Sequence, residues 1–318
     1  MKKETILITG AGGQIGAVLA QALRRRFGYT QVIATDIREL PDQEGPSEIL
    51  NILDAKRLHE LVQQYKVTQL YHLAAILSAK GELQPKTAWE VNMQGIMNVL
   101  IEAKNEKLKV FFPSSIAVFG SQTPSANTPQ HTVLEPETVY GISKAASETW
   151  CQYFHKRYGV DVRSLRYPGI IGYETLPGGG TTDYAVDIYH QALKHKTYEC
   201  FLRSDTLLPM MYMPDAIRAT LELMETPPEK IKVRTSYNLS GMSFSPAEVA
   251  AEIRKHIPGF NMEYKPDFRQ QIADTWPNSI DDSTARNDWG WRPEYDLASM
   301  TTDMLKHLKE RYAEKLYQ

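Results

Sequence analysis

The sequence predicts an α/β protein: a doubly wound parallel sheet over residues 1–175, followed by a smaller C-terminal lobe over 176–318. Three observations predict it. The apolar run Ile6-Leu7-Ile8 meets the glycine cluster Gly10-Ala11-Gly12-Gly13-Gln14-Ile15-Gly16 and passes into a helical stretch. A second apolar run, Val32-Ile33-Ala34-Thr35, ends in the acid Asp36. The first half then keeps alternating strand and helix signals with short connections, the pattern of a parallel sheet wrapped in helices.

Each element has a local reason. Ile6 to Ile8 are β-formers in a run short enough for a strand buried on both faces. Glycines at 10, 13 and 16 follow in a G-x-x-G-x-x-G spacing. Ser47 to Ile52 reads as extended, and Asp54 caps a helix through Val62. Val67 to Ala75 is the next buried strand, and Thr87 to Asn105 the next helix, with Trp89, Asn92, Gly95, Ile96 and Val99 at helical spacings. Lys109 to Ser115 is a strand that ends in hydroxyls. The Pro-, Thr- and Ser-rich stretch Gln122–Thr138 is a loop. Val139-Tyr140 opens a long helix through Tyr158, and Val162 to Tyr167 returns as a strand. Beyond it the alternation fades. Pro177 to Thr182 forms a flexible loop, Asp183 to Lys194 a helix, and further helices are expected over 214–225, 245–256 and 297–312. Several late segments are expected to cross back to the first sheet.

Composition narrows the function. The 318 residues are 42% hydrophobic and 23% charged, ordinary for a folded domain. A formal charge of −2 gives no basis for a nucleic-acid partner. No apolar stretch approaches membrane-spanning length, and Met1-Lys2-Lys3-Glu4 leads directly into the first strand, leaving no room for a signal peptide. Cys151 and Cys200 fit reduced, buried thiols in the cytoplasm. The eight histidines are dispersed, without zinc-ligand spacing, so no metal site is expected. Asp281-Asp282-Ser283 has the wrong spacing for a calcium loop and reads as a helix cap.

The strand–glycine–helix order is the context that a dinucleotide requires, because backbone N–H groups and a helix N-terminus then face a pyrophosphate. Asp36 at the tip of the second strand can accept hydrogen bonds from the adenosine ribose and repel a 2′-phosphate, which favours NAD. Arg38 could instead pair with such a phosphate. Tyr140 and Lys144, four apart on one helix face, form the chemistry-bearing pair. A nearby ammonium is expected to lower the tyrosine pKa from about 10. Ser114 or Ser115, at the end of a strand, would orient a substrate oxygen beside it. Such a set suits removal of a proton from an alcohol whose carbon gives up hydride. Asp215 reads as an acid in the first turn of a helix, and Trp289 and Trp291 as packing residues. Trp276 sits in a loop context suited to covering a site.

These pieces together resemble an extended short-chain dehydrogenase/reductase of Rossmann type over essentially the whole chain. The matching residues are Thr9 to Gly16, Asp36, His72-Leu73-Ala74-Ala75, Asn92, Ser114-Ser115, Tyr140-Gly141-Ile142-Ser143-Lys144 and Arg166-Tyr167-Pro168-Gly169. The resemblance implies Ser115, Tyr140 and Lys144 as the catalytic trio. It also implies cofactor contacts from Gly10, Gly13, Gln14, Ile15, Gly16, Asp36, Ile37, Arg38, Asn51, Ile52, Leu73, Ala75, Asn92, Tyr140, Lys144, Tyr167 and Ile170. Asn51 departs from the acid that related proteins often carry there, which weakens the implied adenine contact.

Leu77 to Glu82, Gly179 to Tyr184 and Thr275 to Asp282 are similar to the short-chain type of L-threonine 3-dehydrogenase. By that similarity Ser78, Gly180, Thr181 and Thr182 join Ser115 and Tyr140 around L-threonine, and Trp276 closes over it. The reaction implied is NAD-dependent oxidation of the side-chain alcohol to L-2-amino-3-oxobutanoate, in threonine breakdown towards glycine. The absence of cysteine ligands sets the chain apart from the zinc-containing type. Two alternatives stay open: a nucleotide-sugar epimerase/dehydratase, with Arg203, Arg218 and Arg234 as candidate phosphate contacts, and a non-catalytic NAD-sensing regulator. The helices at 87–105 and 140–158 resemble those that pair in the dimers of this superfamily, so a homodimer is expected.

Overall fold

The computed structural model describes residues 4–40, 44–178 and 180–316. Gly179, within the expected flexible loop, lies outside the described residues, as do Met1 to Lys3. The strands are β1 (Ile6–Thr9), β2 (Val32–Asp36), β3 (Ser47–Ile49), β4 (Gln69–His72), β5 (Lys109–Ser115), β6 (Val162–Tyr167), β7 (Gly169–Ile171), β8 (Thr197–Cys200), β9 (Leu208–Tyr212), β10 (Tyr237–Asn238), β11 (Met242–Phe244) and β12 (Asn261–Tyr264). The helices are α1 (Gln14–Phe27), α2 (Ala55–Tyr65), α3 (Ser78–Leu83), α4 (Pro85–Glu106), α5 (Val139–Tyr158), α6 (Tyr184–His195), α7 (Met213–Glu225), α8 (Pro246–His256), α9 (Phe268–Ala273), α10 (Ser283–Trp289) and α11 (Leu297–Leu316).

Seven of the described strands form the main sheet in the order β10-β6-β5-β4-β1-β2-β3. β1 pairs in parallel with both β2 and β4, Ile6 lying opposite Val32 on one side and Gln69 on the other. The chain thus builds outward from β1 in one direction and returns to build in the other. The crevice at that reversal, beyond the carboxyl ends of β1 and β4, is where ligands bind in open sheets of this kind. All four residues of β1 are buried, which explains why the strand carries no polar alternation. Leu7, Leu70 and Val110 of the sheet share a core with Leu58 and Leu61 of α2, Ile96 and Val99 of α4, and Phe154 of α5. The Asp54 side chain caps α2 by accepting from Arg57 N–H at 2.9 Å.

The chain divides into two compact units whose segments alternate along the sequence. Residues 1–118, 138–166 and 217–237 make the first, and residues 119–137, 167–216 and 238–318 the second. Within the first unit, buried Arg163 ties the returning segment 217–237 to β6. Its guanidinium donates to the carbonyls of Leu223 (2.6 Å) and Met224 (3.2 Å), and Lys109 also reaches Met224. Two cations therefore meet the last carbonyls of α7, where the helix dipole favours them.

The second unit holds β9 between β7 (parallel) and β11 (antiparallel), and a separate parallel pair, β8 with β12. Helices α6, α8 and α11 pack together, with Tyr189 of α6 bonded to Thr301 of α11 at 2.8 Å. Ser245 and Glu248 form the reciprocal cap that starts α8. Asp215, in the first turn of α7 as expected, accepts from Glu294 and Tyr295 N–H groups at 3.0–3.1 Å and so fastens the loop before α11. Trp291 is fully buried and donates to the Ser240 carbonyl at 3.3 Å. Cys151 and Cys200 are both buried and unbridged. Among the described residues no helix is long and apolar enough to cross a membrane.

Candidate active site

The glycine turn owes its shape to two close approaches. Gly10 has φ +72°, and a Cβ there would lie 2.6 Å from Ala74 N in the loop after β4. A Cβ on Gly16 would lie 2.3 Å from the Gly10 carbonyl, so only glycine lets α1 pack on the turn. Gly13 precedes α1 and brings no side-chain cap, and the first turn carries no acid. The helix start is thereby left bare for an anion. Gly12 N–H donates to the Asp36 carboxylate at 3.0 Å, tying the acid at the end of β2 to the turn. Bare helix start, glycine turn and tethered acid fit a dinucleotide. Asn51 accepts from Leu53 N–H at 3.1 Å, Ile52 is buried, and Ile37 is exposed.

Ser115, Tyr140 and Lys144 come together in the first unit. β5 delivers Ser115 at its end, and α5 delivers Tyr140 in its first turn with Lys144 one turn on. The two serines that the sequence left as alternatives separate cleanly. Ser115 hydrogen-bonds the Tyr140 phenol and accepts from Ala117 N–H at 3.2 Å. Ser114 points the other way and donates to Glu148 at 2.6 Å.

Several groups fix the start of α5. Thr138 accepts from Gly141 N–H at 3.0 Å, and Glu82 of α3 accepts from Val139 N–H at 2.8 Å. Ser143 donates to the Tyr140 carbonyl at 2.7 Å and accepts from the Asn92 amide at 3.1 Å. The same Asn92 side chain bonds both Ile76 N–H (2.9 Å) and Ile76 C=O (3.1 Å). Asn92 thus braces the stretch leading to Ser78, itself buried at the start of α3. Half-buried Leu73 and Ala75 lie in the same stretch.

The electrostatics correct one expectation. Burial holds the Tyr140 phenol up at about 12, against the opposing hydrogen bond from Ser115. The anticipated net lowering by Lys144 does not appear: its ammonium lies 5.5 Å from the centre of the Tyr140 ring, but burial outweighs it and its hydrogen bond goes elsewhere. The ammonium donates to the Pro113 carbonyl at 2.6 Å and lies 4.4 Å from the centre of the Phe112 ring. Lys144 is only 4% exposed, and burial pulls it down to about 7. Beneath it, His72 is buried against Thr9 (2.9 Å) and falls to about 3, from burial first and the Lys144 charge second. What favours the phenolate here is the Ser115 hydroxyl and the positive end of α5.

The remaining candidates belong to the second unit. Thr181 is 1% exposed and its hydroxyl has no partner, an arrangement that calls for a polar ligand. Gly180 N–H is held by Asp183 at 2.8 Å at the start of α6. The Thr182 side chain lies so near Gly169 that a Cβ on that glycine would meet it at 2.8 Å. Tyr167 donates to the Ala216 carbonyl at 3.3 Å, and Ile170 is half-buried on β7. Trp276 is packed within its unit, and the residues after it are pinned through Asn278 and Ser279 N–H to the Ser125 carbonyl. The arginines that a nucleotide-sugar reading needs all have carboxylate partners: Arg203 with Asp274 (2.7 Å), Arg218 with Glu222 (2.9 Å) and Arg234 with Asp161 (2.6 Å).

Sequence reasoning missed Glu82, Thr138, Glu148 and Arg166 as supports of the trio. The spacing of Tyr140, Lys144 and Glu148 on one helical face was the available signal. It also missed the group of exposed His59 and Glu106 with buried Glu102 on α2 and α4, where His59 Nδ1 lies 3.0 Å from Glu102.

Known proteins resemble this chain in sequence and fold. Residues 6–240 fit the sequence model of the NAD dependent epimerase/dehydratase family. An uncharacterised epimerase/dehydratase of Staphylococcus haemolyticus is 47% identical over 317 residues, covering 98% of this chain and 100% of that protein. The holo form of a GalE-like L-threonine dehydrogenase from Cupriavidus necator superposes with a TM-score of 0.95 at 56% identity, over 96% of this chain and 99% of that one. A monomeric L-threonine 3-dehydrogenase from a metagenome database, in its apo form, gives 0.95 at 48% identity with the same coverage. The chain belongs to the NAD dependent epimerase/dehydratase family.

Proposed function

We propose that this protein oxidises L-threonine at its side-chain hydroxyl, with NAD as hydride acceptor, to L-2-amino-3-oxobutanoate. The observation that carries the chemistry is the assembly of Ser115, Tyr140 and Lys144 at the end of β5 and the start of α5. The similarity to two threonine dehydrogenases supports the choice of amino acid, as does the unpartnered hydroxyl of buried Thr181. The carboxylate partners of Arg203, Arg218 and Arg234 weigh against a nucleotide-sugar substrate.

NAD, when bound, supplies the acceptor for the hydride leaving the alcohol carbon. The Gly10–Gly16 turn brings the pyrophosphate against the start of α1, at Gln14 and Ile15. Asp36 takes the adenosine ribose and disfavours a 2′-phosphate beside it. Ser115 donates to the substrate oxygen and orients it. Tyr140 removes the hydroxyl proton as the C–H bond breaks, so the alcohol loses one proton and one hydride and becomes a ketone. The Lys144 ammonium, 5.5 Å from the centre of the Tyr140 ring, adds its charge to the Ser115 hydrogen bond as the phenolate develops. Ser78, Thr181 and Thr182 bind the amino acid, and Trp276 limits water. The enzyme acts in the cytoplasm as a homodimer through α4 and α5, which leave Trp89, Ile101, Trp150 and Tyr153 exposed.

The test follows NADH absorbance with L-threonine, L-serine, allo-threonine and a panel of nucleotide sugars, each with NAD and NADP. Threonine with NAD is expected to turn over best. Serine, lacking one methyl, should be poorer by about 1–3 kcal/mol. Tyr140→Phe should lose at least ~10²-fold in kcat while still binding NAD, and Thr181→Ala should raise KM. Turnover of a nucleotide sugar with none of threonine would replace this reading with the epimerase/dehydratase one.

A further inference from the structure

Behind the catalytic pair lies a buried polar cluster with no part in the proton transfer. Glu148 sits on α5 one turn beyond Lys144 and two beyond Tyr140, and is 1% exposed. Its carboxylate is fully engaged. Ser114 donates to it at 2.6 Å, and Arg166 of β6 grips it with two hydrogen bonds of 2.9 and 2.7 Å. Arg166 is itself buried, 4% exposed. The cluster therefore joins the residue next to Ser115 on β5, the helix carrying Tyr140 and Lys144, and the neighbouring strand β6. An isolated packing need would be met more simply by apolar side chains, because burying an ion pair is costly and often contributes little net stability.

We propose that Glu148 is a positioning residue for Lys144 and Tyr140: clamped by Ser114 and Arg166, its carboxylate fixes α5 on the end of β5 and serves as the buried counter-charge that keeps the Lys144 ammonium charged. This rests on the reading of Ser115, Tyr140 and Lys144 as the reacting set.

The groups around Lys144 support it. Along α5 these are Tyr140, Glu148 and Cys151. From β4 comes His72, and from β5 the Pro113 carbonyl that accepts a hydrogen bond from the ammonium, while the Arg166 cation of β6 lies on the far side of Glu148, bonded to its carboxylate. Burial lowers Lys144, while Cys151 and Glu148 oppose that fall. Burial also pushes the Cys151 thiol up, so it stays uncharged at neutral pH. His72, held far below its usual value by burial, is uncharged as well. Glu148 is left as the anion on the Lys144 face of α5. Ser114 and Arg166 hold it rigidly, so the charge stays placed through each turnover.

The experiment uses full-length protein with 13Cε-labelled lysine, the Lys144 signal being assigned by its loss in Lys144→Arg. Glu148→Gln keeps the shape and removes the charge. Its Lys144 titration midpoint is expected about one pH unit lower than in the unaltered protein, with kcat for threonine about tenfold lower at a pH above that midpoint. KM and NADH affinity should stay within about threefold, because no substrate contact is touched. If Glu148→Gln leaves buried Arg166 unpaired and does not fold, the Lys144 midpoint of Glu148→Gln/Arg166→Met is compared with that of Arg166→Met, so that the two proteins differ only in the Glu148 charge; the double variant is again expected about one pH unit lower. An unchanged Lys144 midpoint in the folded variant overturns the proposal, whatever the activity. A lowered midpoint in a protein that does not oxidise threonine supports Glu148's role and rejects the substrate assignment alone.

Discussion

Lys144 carries its charge at a position where the fold works against it. Its pKa, near 7 in the folded protein against 10.5 for the free side chain, means the unfolded chain binds the proton more tightly between those values. Stability therefore rises with pH across that window, and the full penalty applies at and below pH 7. Lys144→Met should accordingly stabilise the protein by about 2–4 kcal/mol at pH 7 while abolishing turnover. The gain is smaller than the pKa difference implies, because the Pro113 carbonyl loses its donor. Urea unfolding at pH 7 and at pH 10 checks both parts: the advantage should shrink at the higher pH. Equal or lower stability at pH 7 would show that the ammonium is better solvated than its burial suggests. The identity of Lys144 was legible four residues after Tyr140. Its environment was not, since desolvation depends on Phe112, Pro113 and His72, which come from other strands.

At the scale of the element, α5 is held at its start more firmly than its sequence suggests. Thr138 was read as the end of a loop, yet its hydroxyl caps Gly141 while Glu82 caps Val139 from α3. Thr138→Ala should cost about 1 kcal/mol of stability. It should also lower kcat more than it raises KM, because Tyr140 lies within the turn that the cap orders. Urea unfolding beside steady-state kinetics tests this, and a stability loss with unchanged kcat would separate the cap from the chemistry. The long elements were readable because their apolar spacing is self-contained: β1, α1, β2, α4 and α5 all stand near their expected limits. The short helices α3 and α9 were not read, and of α10 only the capping segment Asp281–Ser283 was. Leu77, which precedes α3, offers no capping side chain, and Gly81 lies within the helix, so its local signals point to a loop.

For the whole molecule, the sequence announced a parallel, doubly wound sheet and late segments that cross back to it, but neither the strand order nor which segments alternate between the units. That alternation follows from long-range partners such as Arg163 with the end of α7, which no local pattern announces. Self-association is the prediction at this scale. Light scattering behind size exclusion is expected to give twice the monomer mass, and Trp150→Glu/Tyr153→Glu to give the monomer with its fold intact. A monomer for the unaltered protein would align it with the monomeric relative from the metagenome. The threading of the units has a further effect on how the protein is born. The first unit lacks its last segment, 217–237, until the ribosome has passed residue 237, although its opening segment ends at 118. At about 5–20 residues per second, the nascent sheet waits roughly 6–24 s for completion. For the last part of that interval, roughly 4–14 s after Tyr167 is made, β6 presents an open edge that β10 will later cover, so the newborn chain passes through a stage at which a chaperone could bind.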